Sequence, residues 1–191
     1  MKKILPILAA LLAAALLAGC GPTPASGGAS GAEEADFSWH MAWANWSGEG
    51  QLLEGCENGA KMAISSVRHL PIWKVDSVEA LERFKETPGQ YLTLDQGWDE
   101  APSFLKATEG CDEAFFAQKA LLLIYLEASS SSFRFGVREI AVQDGSLCVH
   151  VEQTNRPEVF DTMMAGWLVV VEAPLARLEG VTGFDADLDH F

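Results

Sequence analysis

The run Ala120-Leu121-Leu122-Leu123-Ile124-Tyr125-Leu126 is apolar without a break and rich in β-formers. A strand with one wet face would alternate apolar and polar residues. An unbroken run of this length predicts a strand covered on both faces. Trp167 to Glu172 (WLVVVE) has the same character and is closed by Pro174. Between them, Phe133, Phe135 and Val137 alternate along a strand predicted over 133–143, with a slip in the alternation near Glu139. Asp144-Gly145 is a strong type I′ hairpin signal, because both central residues of that turn need φ > 0. The return strand, 146–152, puts Leu147, Val149 and Val151 on one face and Cys148 and His150 on the other.

Upstream, the signals mix. Residues 37–46 read as a strand by the alternation of Phe37, Trp39, Met41 and Trp43. They also read as a helical face by the spacing of Trp39, Trp43 and Trp46. A second strand is expected over 61–69, and a short edge at Ile72 to Val75 after Pro71. Asp76-Ser77-Val78-Glu79 is a capping pattern ahead of Ala80, Leu81 and Phe84, with Asp76 as the expected cap. Pro88-Gly89 stops that helix. Further short helices are expected over 99–107 and 111–119, the latter opened by Asp112 and Glu113, which favour a helix N-terminus electrostatically. Residues 180–191 read as a solvated acidic tail. The predicted class is α+β: a largely antiparallel, small sandwich-like sheet with two or three short helices.

The N-terminus carries an address. Lys2 and Lys3 precede an apolar run, Ile4 to Ala18, too short to span a bilayer comfortably but suited to a signal peptide. The run ends in Leu17-Ala18-Gly19-Cys20, which resembles the lipobox of bacterial lipoproteins. That resemblance implies lipid transfer to Cys20 and cleavage after Gly19. Two acyl chains on Cys20 are enough for stable anchoring. Residues 1–19 are thus expected as signal peptide. Residues 20–35 form the lipidated Cys and a Gly/Ser/Ala/Pro tether. Residues 36–191 form one extracytoplasmic domain held at the cell membrane.

Charge narrows the partners. With 13 Lys plus Arg against 27 Asp plus Glu, the net charge of −14 disfavours nucleic acid, whose binding needs cations on phosphates. It equally disfavours docking through a basic patch on an anionic membrane. Setting Cys20 aside leaves Cys56, Cys111 and Cys148, an odd number. A Cys56–Cys111 disulfide between two loop positions and a set of free thiols are both consistent with the spacing, with Cys148 as a small core residue. No CxxC or Cys/His zinc spacing occurs, so no metal ligand and no cofactor are expected.

From Ala114-Phe115-Phe116 through the apolar strand, the Ser129–Ser132 loop, Arg134 and Val137, and then Thr162-Met163-Met164-Ala165-Gly166-Trp167, the chain resembles the C-terminal domain of the PrcB family. That family is named for a subunit of a surface protease complex. The likeness covers roughly residues 112–173. It implies a small β-rich domain without catalytic residues and a protease as a partner. The family carries Gly in the small-residue loop where this chain has four Ser.

The remaining candidates are few. His40, His69, His150 and His190 sit in no HExxH or G-x-S-x-G context. Ser129–Ser132 suits an anion held by backbone N–H groups or a nucleophile, but a polar hairpin loop is the expected role. Arg134 and Arg138 on one strand face suit a ligand carboxylate or the protein's own acids. Asp185, Asp187 and Asp189 lack the Gly and Glu of a calcium loop. Trp39, Trp43 and Trp46 suit stacking on sugar rings, anchoring of a partner, or the core. The sequence therefore predicts a non-catalytic, lipid-anchored protein-binding module or accessory subunit of an envelope complex. The alternative is a solute- or glycan-binding lipoprotein using exposed Trp.

Overall fold

The structure is a computed structural model that describes residues 37–47, 55–60, 69–97 and 101–189. The expected signal peptide, Cys20, the expected tether, His190 and residues 61–68 of the strand expected over 61–69 lie outside the described residues. No helix among the described residues is long and apolar enough to cross a membrane.

Two sheets carry the fold. The larger has the order β1-β6-β3-β2, with β1 Ser38–Trp43, β2 Ile72–Val75, β3 Lys119–Ala128 and β6 Ala165–Pro174. All its pairings are antiparallel. The smaller has the order β4-β5-β7, with β4 Phe135–Gln143, β5 Ser146–Gln153 and β7 Gly183–Asp189. The helices are α1 Val78–Glu86, α2 Phe104–Ala107 and α3 Glu113–Phe116.

The apolar run on β3 lies in the middle of the larger sheet, and its two faces serve two cores. Leu122, Ile124 and Leu126 join Trp43, Trp167, Val169, Leu147, Val149, Val151 and Leu188 between the sheets. Leu121, Leu123 and Tyr125 join Leu168, Val170, Leu81, Phe84, Phe104 and Phe116 under the helices. That is why neither β3 nor β6 shows the alternation of a half-wet strand. Each fully buried Leu, Ile or Val contributes about 1.5–3 kcal/mol of transfer free energy before conformational entropy is charged against it. Trp43 meets Trp167 edge-on at 4.9 Å between ring centroids.

Local signals are realised with adjustments. Asp144 (φ 52°) and Gly145 (φ 77°) make the tight hairpin turn, which lets β4 and β5 pair directly. The slip near Glu139 is a β-bulge between Val137 and Glu139. It puts Arg138 out of phase with Arg134, so the two do not share the regular face expected of them. The α1 cap is Ser77 rather than Asp76: its hydroxyl accepts from the Ala80 amide at 3.1 Å. Residues 37–46 resolve in favour of the strand.

The largest departure is at the C-terminus. Residues 183–189 are a strand, not a solvated tail, and β7 pairs with β5 in parallel. Phe184, Ala186 and Leu188 point into the inter-sheet core, while Asp185, Asp187 and Asp189 occupy the other face. Gly166 shows one demanding contact: a Cβ there would collide with the Ala44 carbonyl oxygen, so β6 carries no side chain where the Ala44–Asn45 segment crosses it.

Candidate functional site

Two loops meet at one end of the larger sheet. Ser129–Ser132 follows β3. Residues 154–164 carry the chain from β5 in the smaller sheet to β6 in the larger. The Ser loop is an anion cradle, and the anion is the protein's own. The Asp161 carboxylate accepts from Ser131 Oγ (2.6 Å), Ser132 Oγ (2.9 Å), Ser130 Oγ (3.3 Å) and the Ser131 amide (3.1 Å). It also takes the Met163 amide at 2.9 Å. The Ser131 hydroxyl is the largest influence on its ionisation. With the Ser132 hydroxyl and the two amides it outweighs desolvation and holds Asp161 well below the usual carboxylate range. Small hydroxylated residues suit this role, because each supplies a donor without bulk between the strands.

The base of the long loop is tied as firmly. Asn155 Oδ1 accepts from the Arg134 amide at 2.7 Å, and Asn155 Nδ2 donates to the Ser132 carbonyl at 2.8 Å. Arg134 Nη1 donates to the carbonyls of Ser131 (2.7 Å) and Phe133 (3.1 Å), and the guanidinium lies 5.4 Å from the Trp167 ring centre. Arg134 is thus engaged in holding the two loops together. Arg138 pairs with Asp189.

On this fixed base the loop exposes apolar side chains. Val159 is 86% exposed, Phe160 55%, Met163 58% and Met164 59%. Phe160 rests part of its ring on Phe133, 5.5 Å away. Four large apolar side chains turned outward on one pinned loop are the kind of exposure that marks an interaction surface. Met and Phe are adaptable and energetically heavy members of them.

The residues singled out from the sequence are distributed differently. Trp43 is buried, so it does not belong to a surface platform. Trp39 and Trp46 are 42% and 40% exposed. Trp39 lies across Gly136, where a Cβ would come within 2.9 Å of its ring. Cys56 and Cys111 are free thiols rather than a bonded pair, and both pack on the helix-side core. Burial is the main reason their thiol pKa values lie above normal, which leaves them poorly nucleophilic. His40 sits between β1 neighbours with Nε2 buried and unpartnered among the described residues. Burial pushes its pKa down, and the Glu172 charge offsets this in part.

A second cluster lies on the outer face of the smaller sheet. His150 Nδ1 is 2.7 Å from Asp187 Oδ1, across the parallel β5–β7 pair. Donor atoms of Cys148, His150 and Asp187 all lie within 4.8 Å of one another, so these three residues could hold a metal. Beside them, Asp185 accepts from Asn58 Nδ2 at 2.8 Å and meets His69 Nδ1 at 3.0 Å. The reading of residues 180–191 as a tail hid this cluster, and so did the separation of 37 residues between His150 and Asp187. The Asp161 cradle was hidden in the same way by a separation of 30 residues from Ser131.

Comparison with protein-family models, curated proteins and solved structures finds no match to this chain.

Proposed function

We propose that this protein is a non-catalytic, lipid-anchored binding module on the extracytoplasmic face of a cell membrane. On this reading it engages another envelope or secreted protein through the 156–164 loop. The observation that carries the reading is the outward display of Val159, Phe160, Met163 and Met164 on a loop whose backbone is held by the Asp161 cradle. A loop that merely connected β5 to β6 would gain by keeping such side chains inward or polar. Fixing the loop before binding lowers the ordering entropy charged against association. The sequence resemblance of 112–173 to the PrcB family is the ground for a protease as the partner class. The lipobox at Cys20 supports the anchor.

The test is capture from solubilised envelope and culture medium with the full-length chain. It is run beside a Phe160→Ser, Met163→Ser variant of matched melting temperature. A saturable protein partner retained by the wild type and lost by the variant is expected. Capture that is equal for both would refute the assignment to this loop. Loss of about 2 kcal/mol at each of two anchor side chains corresponds to a weakening of roughly 10³-fold.

A further inference from the structure

We propose that Cys148, His150 and Asp187 form a binding site for one thiophilic divalent cation of the zinc class, which straps β7 to β5. This is independent of the 156–164 loop. The argument begins with the alternation of β7. Phe184, Ala186 and Leu188 are committed to the core, so Asp185, Asp187 and Asp189 are forced to the opposite face. On β5, Leu147, Val149 and Val151 are committed inward, so Cys148 and His150 face the same way as those acids. Parallel register then pairs Cys148 with Asp185 and His150 with Asp187. A thiol, an imidazole and a carboxylate are thereby brought together by backbone pairing rather than by flexible loops.

The donor set is chemically selective. Sulfur excludes calcium and magnesium, which take oxygen ligands. A mixed sulfur, nitrogen and oxygen set suits zinc, which binds thiolate at about 2.3 Å and imidazole or carboxylate at about 2.0–2.2 Å. Tetrahedral geometry at those lengths separates the donors by roughly 3.3–3.7 Å. The donors here lie within 4.8 Å of one another, and His150 Nδ1 sits 2.7 Å from Asp187 Oδ1, so holding a metal replaces that hydrogen bond with two metal bonds and asks for side-chain rotation. Asp187 is 8% exposed, an unusual degree of burial for a carboxylate, and its side-chain neighbour at hydrogen-bond distance is His150.

Charge points the same way. Glu139 faces His150 in register, Glu152 faces Asp189, and Asp185 is the next acid along β7. At the margins of this face Arg138 pairs with Asp189, and His69 Nδ1 lies at hydrogen-bond distance from Asp185. A divalent cation would offset the thiolate and the Asp187 carboxylate together. On binding, the Cys148 thiol releases its proton to solvent and the sulfur donates an electron pair to the metal, with no change of oxidation state. A solvent molecule completes the fourth position.

The test uses the full-length chain, reduced and stripped with a chelator, titrated with cobalt(II) and then zinc. One equivalent of cobalt should give a thiolate-to-metal charge-transfer band with the intense visible absorption of a tetrahedral ion. Zinc should bleach both and raise the melting temperature. Cys148→Ser should abolish the charge-transfer band and weaken zinc by at least about 100-fold, more than the loss of an outer-shell partner. Cys111→Ser and Cys56→Ser should leave both readouts unchanged. Asp187→Asn should weaken zinc similarly. If that buried change prevents folding, the half-buried Cys148→Ser decides alone. No band with the stripped wild type, or a band that survives Cys148→Ser, would overturn the proposal.

Discussion

Leu188→Ala tests whether the last described residues are a core strand or a charged tail. Leu188 is 4% exposed and lies in the inter-sheet core with Val149, Val151 and Ile124. The substitution removes three carbons from that core. At about 0.8 kcal/mol per buried CH₂ the transfer loss is roughly 2.4 kcal/mol. The cavity left behind adds to it at about 24 cal/mol per Å³ of residual volume, so the total should fall near 3 kcal/mol. Urea unfolding followed by Trp fluorescence reads this directly. With an m-value of about 1–3 kcal/mol/M, the midpoint should drop by roughly 1–3 M at unchanged m. Leu105→Ala is the control: Leu105 is 42% exposed on α2, and its loss should stay within about 0.5 kcal/mol. A Leu188→Ala loss below about 0.5 kcal/mol would refute the strand, and with it the placement of Asp187 beside His150.

Two further predictions concern the loop and the pH response. Asp161→Asn removes the charge that the Ser130, Ser131 and Ser132 donors hold, so amide hydrogen exchange across 156–164 should quicken while exchange in β3 and β6 stays slow. Equal protection in wild type and variant would contradict the cradle. The His40 pKa is lowered in the folded state, so as pH falls through the unfolded value of about 6.5 the unfolded chain takes up the proton first. Stability is therefore full above that pH and declines towards the folded pKa, where the loss levels off. His40→Gln should remove this decline, so melting profiles of wild type and variant should diverge as the pH falls through about 6.5. Parallel profiles would show that His40 is solvated.

The features legible in the sequence share a property: their cause is local. The β3 run, the β6 run, the Asp144-Gly145 turn and the bulge near Glu139 each follow from residues within a few positions of one another. What was not legible depends on distant pairing. Phe184, Ala186 and Leu188 alternate as a strand should, yet the interleaved aspartates suggest a tail until β5 supplies a parallel neighbour. Cys148, His150 and Asp187 have no motif spacing because the sheet, and not the chain order, assembles them. The Ser loop read chiefly as a polar turn, and only the fold brings Asp161 into it as an anion. The Trp spacing misled in part because strand period buries Trp43 against Trp167 while Trp39 hangs over Gly136 at the sheet margin.

Site-specific photo-crosslinking in the intact envelope tests the central claim most directly. A photoreactive residue at position 163 is compared with one at position 142, since Val142 is an exposed apolar residue on the other sheet, at 45% exposure. The account predicts one protein adduct from position 163, lost when Asp161→Asn is added, and none from position 142. Adducts of equal yield from both positions, or lipid adducts alone at 163, would contradict a protein-binding role for the loop.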